Sequence, residues 1–288
     1  MRIRSLSTLA ECRQAAALEK AIWGYADSEE IIPPAVLIVS VKRGAILLGA
    51  FGSANRMDGY AYAVPSLRDG RCALWSHALG VVPAARGRGV GTGLKVVQRQ
   101  QAQRMGIDLI EWSCDPLQAA PAHLNFSRLG VVVEEYEENL FGESSSVLHG
   151  GVPTDRFIVQ WNLATPHVER RLAAVQATPS SGRRRTVQPI GVRDSAVVSA
   201  VLVNEGRASG EWLAPGDARL DVEGSRVLVE IPANFTEMLG REPGLALEWR
   251  LSTRAIFQSY FARGYRAVDF FLASDRSRGQ YLLARAAS

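Results

Sequence analysis

The chain has 288 residues, 47% of them hydrophobic and 22% charged, with 33 basic against 29 acidic side chains and a net charge of +4. That length suits two compact units of roughly 100–200 residues each, the composition is that of a globular protein, and so small a basic excess does not by itself imply nucleic acid. No run reaches the ~18 apolar residues that span a bilayer, and Cys12, Cys72 and Cys114 are isolated and without metal-ligand spacing, so they read as reduced thiols in a soluble cytoplasmic protein that uses no metal and binds no membrane.

Thr8-x-x-Glu11 is a capping box, and Cys12, Ala15, Leu18 and Ile22 recur behind it at helical spacing, which predicts a helix from about Leu9 to Trp23. Pro33-Pro34 reads as a breaker. Ala45 to Phe51 and Gly59 to Val64 are strand-like, and Arg68-Asp69-Gly70 turns the chain into a strand running from Cys72 to Val81. A glycine-rich stretch leads from there into a helix over Thr92 to Met105. A short buried strand, Leu109 to Ser113, precedes a helix that starts at Asp115-Pro116 and ends at Leu129, with Gly130 as its C-cap. Val131 to Val133 and Phe157 to Trp161 supply two more strands.

Residues 164–186 are rich in Pro, Ser and Gly and contain Arg183-Arg184-Arg185. They read as a linker, helical near Val168 to Val175, with the basic triplet solvated rather than bound to nucleic acid. Beyond it, Arg226 to Ile231 is a strand, Pro232-Ala233-Asn234-Phe235 a turn, and Leu245 to Ala262 a helix bearing Trp249, Ile256 and Phe257. Gly264-Tyr265 ends that helix, and Ala267 to Leu272 and Gln280 to Ala284 are strands. The pattern predicts an α/β (α+β) protein with a mixed, mostly antiparallel sheet flanked by helices. Its expected divisions are a domain over 1–163, a linker over 164–186 and a smaller α/β unit over 187–288.

The most informative segment is Leu79-Gly-Val-Val-Pro-Ala-Ala-Arg-Gly-Arg-Gly-Val-Gly91, between a strand and a helix. A glycine-rich turn that opens a helix presents unpaired N–H groups at the positive end of the helix dipole, a cradle for a pyrophosphate. Spacing separates the candidates. The P-loop needs Lys-Ser or Lys-Thr directly after its last glycine, and Gly91-Thr92-Gly93-Leu94-Lys95 does not supply it. The dinucleotide fingerprint needs glycine at its first, third and sixth positions, and the sixth residue from Gly87 is Thr92 and from Gly89 is Leu94. Glu111 lies where a ribose-binding acid would, but the glycine spacing argues against a nicotinamide oxidoreductase.

What remains, Leu79-x-Val81-x-Pro83-x-x-Arg86-Gly87-x-Gly89-Val90-Gly91, closely resembles the acyl-coenzyme A loop of the GNAT N-acetyltransferase superfamily. The resemblance implies the GNAT fold, an acyl-CoA co-substrate such as acetyl-CoA or succinyl-CoA, and N-acylation of a small-molecule amine. Backbone groups of Leu79 and Val81, with Gly80 between them, would pair with the pantetheine arm, and an N–H near Val81 would face the thioester oxygen. Arg86, Gly87, Arg88, Gly89, Val90, Gly91 and Thr92 would surround the pyrophosphate, with Asn125 and Phe126 of the following helix also lining the cofactor. Phe126 stands where the family commonly places a tyrosine that protonates the leaving thiolate. Tyr136 or water could take that role, or none is needed.

A narrower group of acyltransferase-like proteins matches at Ser76-His77-Ala78-Leu79-Gly80-Val81, Asp115-Pro116-Leu117-Gln118, Phe141-Gly142-Glu143-Ser144-Ser145 and Gly151-Val152-Pro153-Thr154-Asp155-Arg156-Phe157. There an Arg-Asn pair usually follows the second segment, and Ala120-Pro121 replaces it here. Some members are associated with N-acylation of amino acids, including succinyl transfer. The second unit repeats half of such a domain in degenerate form, without the loop, and would wall the acceptor pocket.

Acyl transfer from a thioester needs alignment with a neutral amine and a polarised carbonyl. His77 is the leading general base, because its ordinary pKa suits removal of a proton near neutral pH; its other reading is a structural histidine beside Ser76. Glu111 is the second candidate, acting through a water. Ser76, Asp115 and Arg156 are candidates for the acceptor. Asp115 could instead cap its helix, and Arg156 could hold an acceptor carboxylate or pair with Asp155 or Glu135. The competing function is a catalytically inactive acyl-CoA-binding or interaction module. A monomer or homodimer is expected.

Overall fold

The structure, a computed structural model, describes residues 1–24, 31–52, 55–142, 151–176 and 200–285. Arg183-Arg184-Arg185 and the last three residues of Phe141–Ser145 lie outside them. The chain divides into two units, the first holding Met1–Trp112 and Asn162–Ala164 and the second the described remainder from Ser113 onward. The division therefore falls within a strand near residue 112 rather than at 163, and the expected linker helix belongs to the second unit.

In the first unit β1 (Arg2–Ser5), β2 (Ile46–Phe51), β3 (Met57–Arg68) and β4 (Arg71–Val81) pair antiparallel in chain order. Helix α1 (Leu9–Trp23) starts on the Thr8–Glu11 capping box and ends on Gly24 at φ 65°. Its buried stripe is Cys12, Ala15, Ala16 and Glu19, spaced to one helical face. Pro33-Pro34 does not break the chain here: Pro34 is the first residue of α2 (Pro34–Val41), where a missing N–H costs nothing and the fixed φ suits the helix. Helices α1 and α2 cover one face of the sheet, in a core with Leu37, Leu47, Tyr60 and Tyr62.

The tight β3–β4 turn places Asp69 at φ 50° and Gly70 at φ 74°, left-handed conformations that two-residue hairpin turns demand. Helix α3 (Val90–Arg104) covers the other face and connects β4 to β5 (Leu109–Cys114), which runs parallel to β4. A parallel pair requires such a crossover.

The second unit contains α4 (Ala119–Ala122), which passes directly into a π-helix over His123–Leu129. Pro121, lacking an amide donor, sits just before the widening. Gly130 at φ 72° closes it, as the sequence indicated. Strands β6 (Val132–Glu137) and β7 (Arg156–Asn162) form an antiparallel pair, followed by α5 (Pro166–Gln176). Later come short strands β8 (Val201–Leu202), β9 (Arg207–Ser209) and β10 (Trp212–Ala214), then β11 (Arg226–Pro232), α6 (Phe235–Arg241), α7 (Pro243–Ala262), β12 (Tyr265–Leu272) and β13 (Arg278–Arg285).

Strand β13 lies between β11 and β12, and β12 meets β6 antiparallel where Ala267 faces Val133. The order β11–α7–β12–β13 repeats strand–helix–strand–strand, the half-domain pattern legible in the sequence. Phe157, Phe257 and Tyr281 pack edge-to-face at 4.7–5.5 Å and centre this core.

Candidate functional site

Strand β4 pairs with β5 only at Leu74–Ile110 and Trp75–Glu111. From Ser76 to Val81 it continues alongside β3, so among the described residues its other edge carries no strand partner. The β3–β4 register shifts where Tyr62 faces Ala78 but Val64 faces Trp75, an extra residue in β4 at Ser76-His77. Such bulges re-aim side chains. Here Ser76 points to α3, while His77 lies edge-on to Tyr62, with rings 6.2 Å apart.

The loop beyond β4 has the geometry of an anion cradle. Gly87 (φ 73°) and Gly89 (φ 80°) both need left-handed backbone, and open space surrounds the position of a Cβ at each. Gly89 is the N-cap of α3; no side chain caps that end and no acid lies in its first turn. The first helical bond runs from Gly93 N–H to Gly89 C=O, which leaves the N–H groups of Val90, Gly91 and Thr92 without helical acceptors. Arg86 and Arg88 are exposed beside them, and Arg86 Nε donates to the Val81 carbonyl at 3.1 Å, tying the loop back to the end of β4.

His77 stays open to solvent, yet the protein crowding it disfavours the imidazolium and lowers its pKa below the ordinary value. A neutral imidazole at pH 7 can accept a proton.

Glu111 is 5% exposed and faces Arg68 at 3.5 Å, so its charge is already engaged. Ser76 is 5% exposed and turned inward. Its hydroxyl donates to Gln98 Oε1 at 3.1 Å and accepts from Lys95 Nζ at 2.8 Å. Lys95, 1% exposed, also sits 3.6 Å above the Trp112 ring. This buried polar cluster locks α3 onto β4 and so fixes the loop. Lys95 reads in the sequence as an ordinary helix-surface lysine, and nothing local marks it.

The remaining candidates lie in the second unit. Asp115 accepts both guanidinium donors of Arg250, at 2.9 and 2.8 Å, and the Leu117 N–H at 2.9 Å. Burial opposes its ionisation, but Arg250 and Arg156 outweigh that and hold the carboxyl below the usual range. It is half of a buried ion pair and accepts from the turn that follows it, but it caps no helix: α4 starts at Ala119, later than expected, with Gln118 as its N-cap. Arg156, 9% exposed, lies 3.8 Å from Asp115 and 5.2 Å from the Phe141 ring centre.

Asn125 and Phe126 are 3% and 0% exposed. The Phe126 ring packs edge-to-face on Tyr281 at 5.4 Å, so it serves the core, in place of the expected cofactor contact. Tyr136 is a poor substitute acid. Its hydroxyl donates to Asp155 at 2.6 Å, and burial together with that carboxylate pushes its pKa far above the ordinary phenol.

Among the described residues no three His, Cys, Asp or Glu gather as metal ligands, and no helix is long and apolar enough to cross a membrane. No protein-family model and no curated protein sequence matches the chain. Among solved structures it is similar to an aminoglycoside 6'-acetyltransferase type Ii, with 18% identity over 57% of this chain and 99% of that one and a TM-score of 0.45. It is also similar to an acetyltransferase of the GNAT family from Streptococcus pneumoniae (16% identity, 55% and 97% coverage, TM-score 0.45). A third is yncA from Salmonella typhimurium, solved with acetyl-CoA (20% identity, 57% and 95% coverage, TM-score 0.45).

Proposed function

We propose that this chain is a GNAT-superfamily acyltransferase that moves an acetyl- or succinyl-type group from acyl-CoA to the amine of a small molecule such as an amino acid. One observation carries the reading: the edge of β4 that has no strand partner among the described residues runs straight into an uncapped, glycine-lined helix N-terminus flanked by Arg86 and Arg88. An extended amide-bearing arm ending in a pyrophosphate matches that sequence of features. The arm would add to β4 as a strand does. The phosphates would take the N–H groups from Gly87 to Thr92, where glycine backbones allow close approach and the helix dipole favours negative charge.

His77, held neutral by its surroundings, would remove a proton from the acceptor amine. The amine nitrogen then attacks the thioester carbon, the new C–N bond forms, the C–S bond breaks and the thiolate leaves. An N–H near Val81 would stabilise the oxyanion. A thiol has a pKa near 8.5, so its anion departs without a strong acid, which accommodates Phe126 and the engaged Tyr136.

Thiol release from acetyl-CoA and succinyl-CoA across an amine panel tests this, with His77→Ala as the control. Turnover that falls by about 10²–10⁴ in the variant supports the base; unchanged turnover removes His77 from the role. Phe126 in the tyrosine position, with Tyr136 already engaged, favours one second reading, an acyl-CoA-binding module without catalysis. Tight acyl-CoA binding with no thiol release for any amine would select it.

A further inference from the structure

The face of the first-unit sheet that carries His77 also buries a carboxyl that the proposed reaction leaves unused. Glu19, 4% exposed, shares its helical stripe with Cys12, Ala15 and Ala16, none of which gives a carboxylate a partner. Trp23, one turn further along α1, meets Tyr60 edge-on at 6.1 Å. Tyr62 follows on the same face of β3, and His77 lies edge-on to it at 6.2 Å. Opposite Tyr60 stands Gly80, where a Cβ would come within 2.8 Å of both Ile22 and Trp23.

Glu19, Tyr60 and Tyr62 are thus buried along one face of the sheet, and Trp23 and His77 at either end of the row reach solvent. We infer that Glu19 and the rings of Trp23, Tyr60, Tyr62 and His77 form a subsite for an alkylammonium group. That this cation belongs to the acyl acceptor rests on the acyltransferase reading; the cation site itself does not.

Aromatic faces attract cations through their quadrupoles, most strongly when water is excluded, and a carboxylate among them supplies the opposite charge. Burial raises the Glu19 pKa to about 7, while the Ile32 amide and the Tyr60 hydroxyl, which reach the carboxyl, draw it partly back down. Among the described residues no basic side chain contributes, and the other titratable groups turned to this region are Cys12, Tyr60, Tyr62 and His77. An arriving ammonium would supply the missing positive charge, favour the carboxylate and expel its proton. Below pH 7 its affinity should accordingly fall about tenfold per pH unit.

The probe is benzylammonium, with neutral benzyl alcohol as its counterpart, titrated into the full chain by ligand-observed NMR at pH 5.5 to 8. Wild type is expected to prefer the cation and to bind it more tightly as pH rises. Glu19→Gln should lose at least tenfold at pH 8, and Trp23→Leu should lose affinity while keeping the pH dependence. Equal binding of cation and alcohol, undiminished binding by Glu19→Gln, or a pH slope that survives in that variant and so belongs to His77, would overturn the assignment. Acetyl-CoA calorimetry on the same proteins separates the two ideas. Glu19→Gln should bind acetyl-CoA as wild type does, and failure of wild type to bind it would defeat the acyltransferase reading while leaving the cation result standing.

Discussion

Glu19→Gln should stabilise the protein at alkaline pH and do little in acid. The substitution keeps the shape of the side chain and removes only its titration. Glu19 moves from an ordinary 4.5 to about 7 on folding, a displacement of about 2.5 pH units, or at most about 3 kcal/mol at 1.36 kcal/mol per unit. Well below pH 4.5 the carboxyl is protonated in both states and contributes no difference. Between about 4.5 and 7 the unfolded chain ionises while the folded one does not, so wild-type stability declines with rising pH. Above 7 both are ionised and the full penalty persists. Urea unfolding of both proteins at intervals from pH 4 to 8.5 reads this directly. The gap between variant and wild type should widen across that window by about 2–3 kcal/mol and then level off. A gap independent of pH, or one that narrows, would show that the carboxyl is solvated and would refute the burial argument.

Gly80→Ala should lower the melting temperature by an amount equivalent to about 1–3 kcal/mol, because its methyl would meet Ile22 and Trp23 at 2.8 Å; an unchanged melt would mean that α1 yields. Arg250→Met should cost about 3–5 kcal/mol in denaturant unfolding by removing both guanidinium hydrogen bonds to the buried Asp115 and leaving it only Arg156 at 3.8 Å. Asp115→Leu combined with Arg250→Met should recover much of that loss, and a double variant as unstable as the single would show that packing, not charge, sets the cost.

The elements with local signals were legible in the sequence. The capping box and the helical spacing behind it located α1, and the glycine-rich stretch located the β4–α3 junction because glycine readily accepts the left-handed backbone that Gly87 and Gly89 adopt. Helix α2 escaped because two prolines signal a stop and a first turn alike. Strand β1, an edge segment reading Arg-Ile-Arg-Ser, has too little alternation to declare itself.

The buried charges were invisible for a different reason. Lys95 finds Ser76 across 19 positions and Arg250 finds Asp115 across 135, and no local pattern encodes a partner so far away. Ser76 and Phe126 illustrate the converse. Both occupy positions where a motif suggests contact with a ligand, and packing turned each toward the interior.

The central claim is that the Arg86–Thr92 loop holds acyl-CoA, and calorimetric titration of acetyl-CoA into wild type and Gly89→Glu tests it most directly. At φ 80° and at the N-cap of α3, a glutamate would strain the turn and set a carboxylate where the phosphates belong. The account predicts micromolar binding by wild type, about −8 kcal/mol, and binding at least about 100-fold weaker in the variant. Equal binding by the two proteins, or none by wild type at about 1 mM (about −4 kcal/mol), would contradict it.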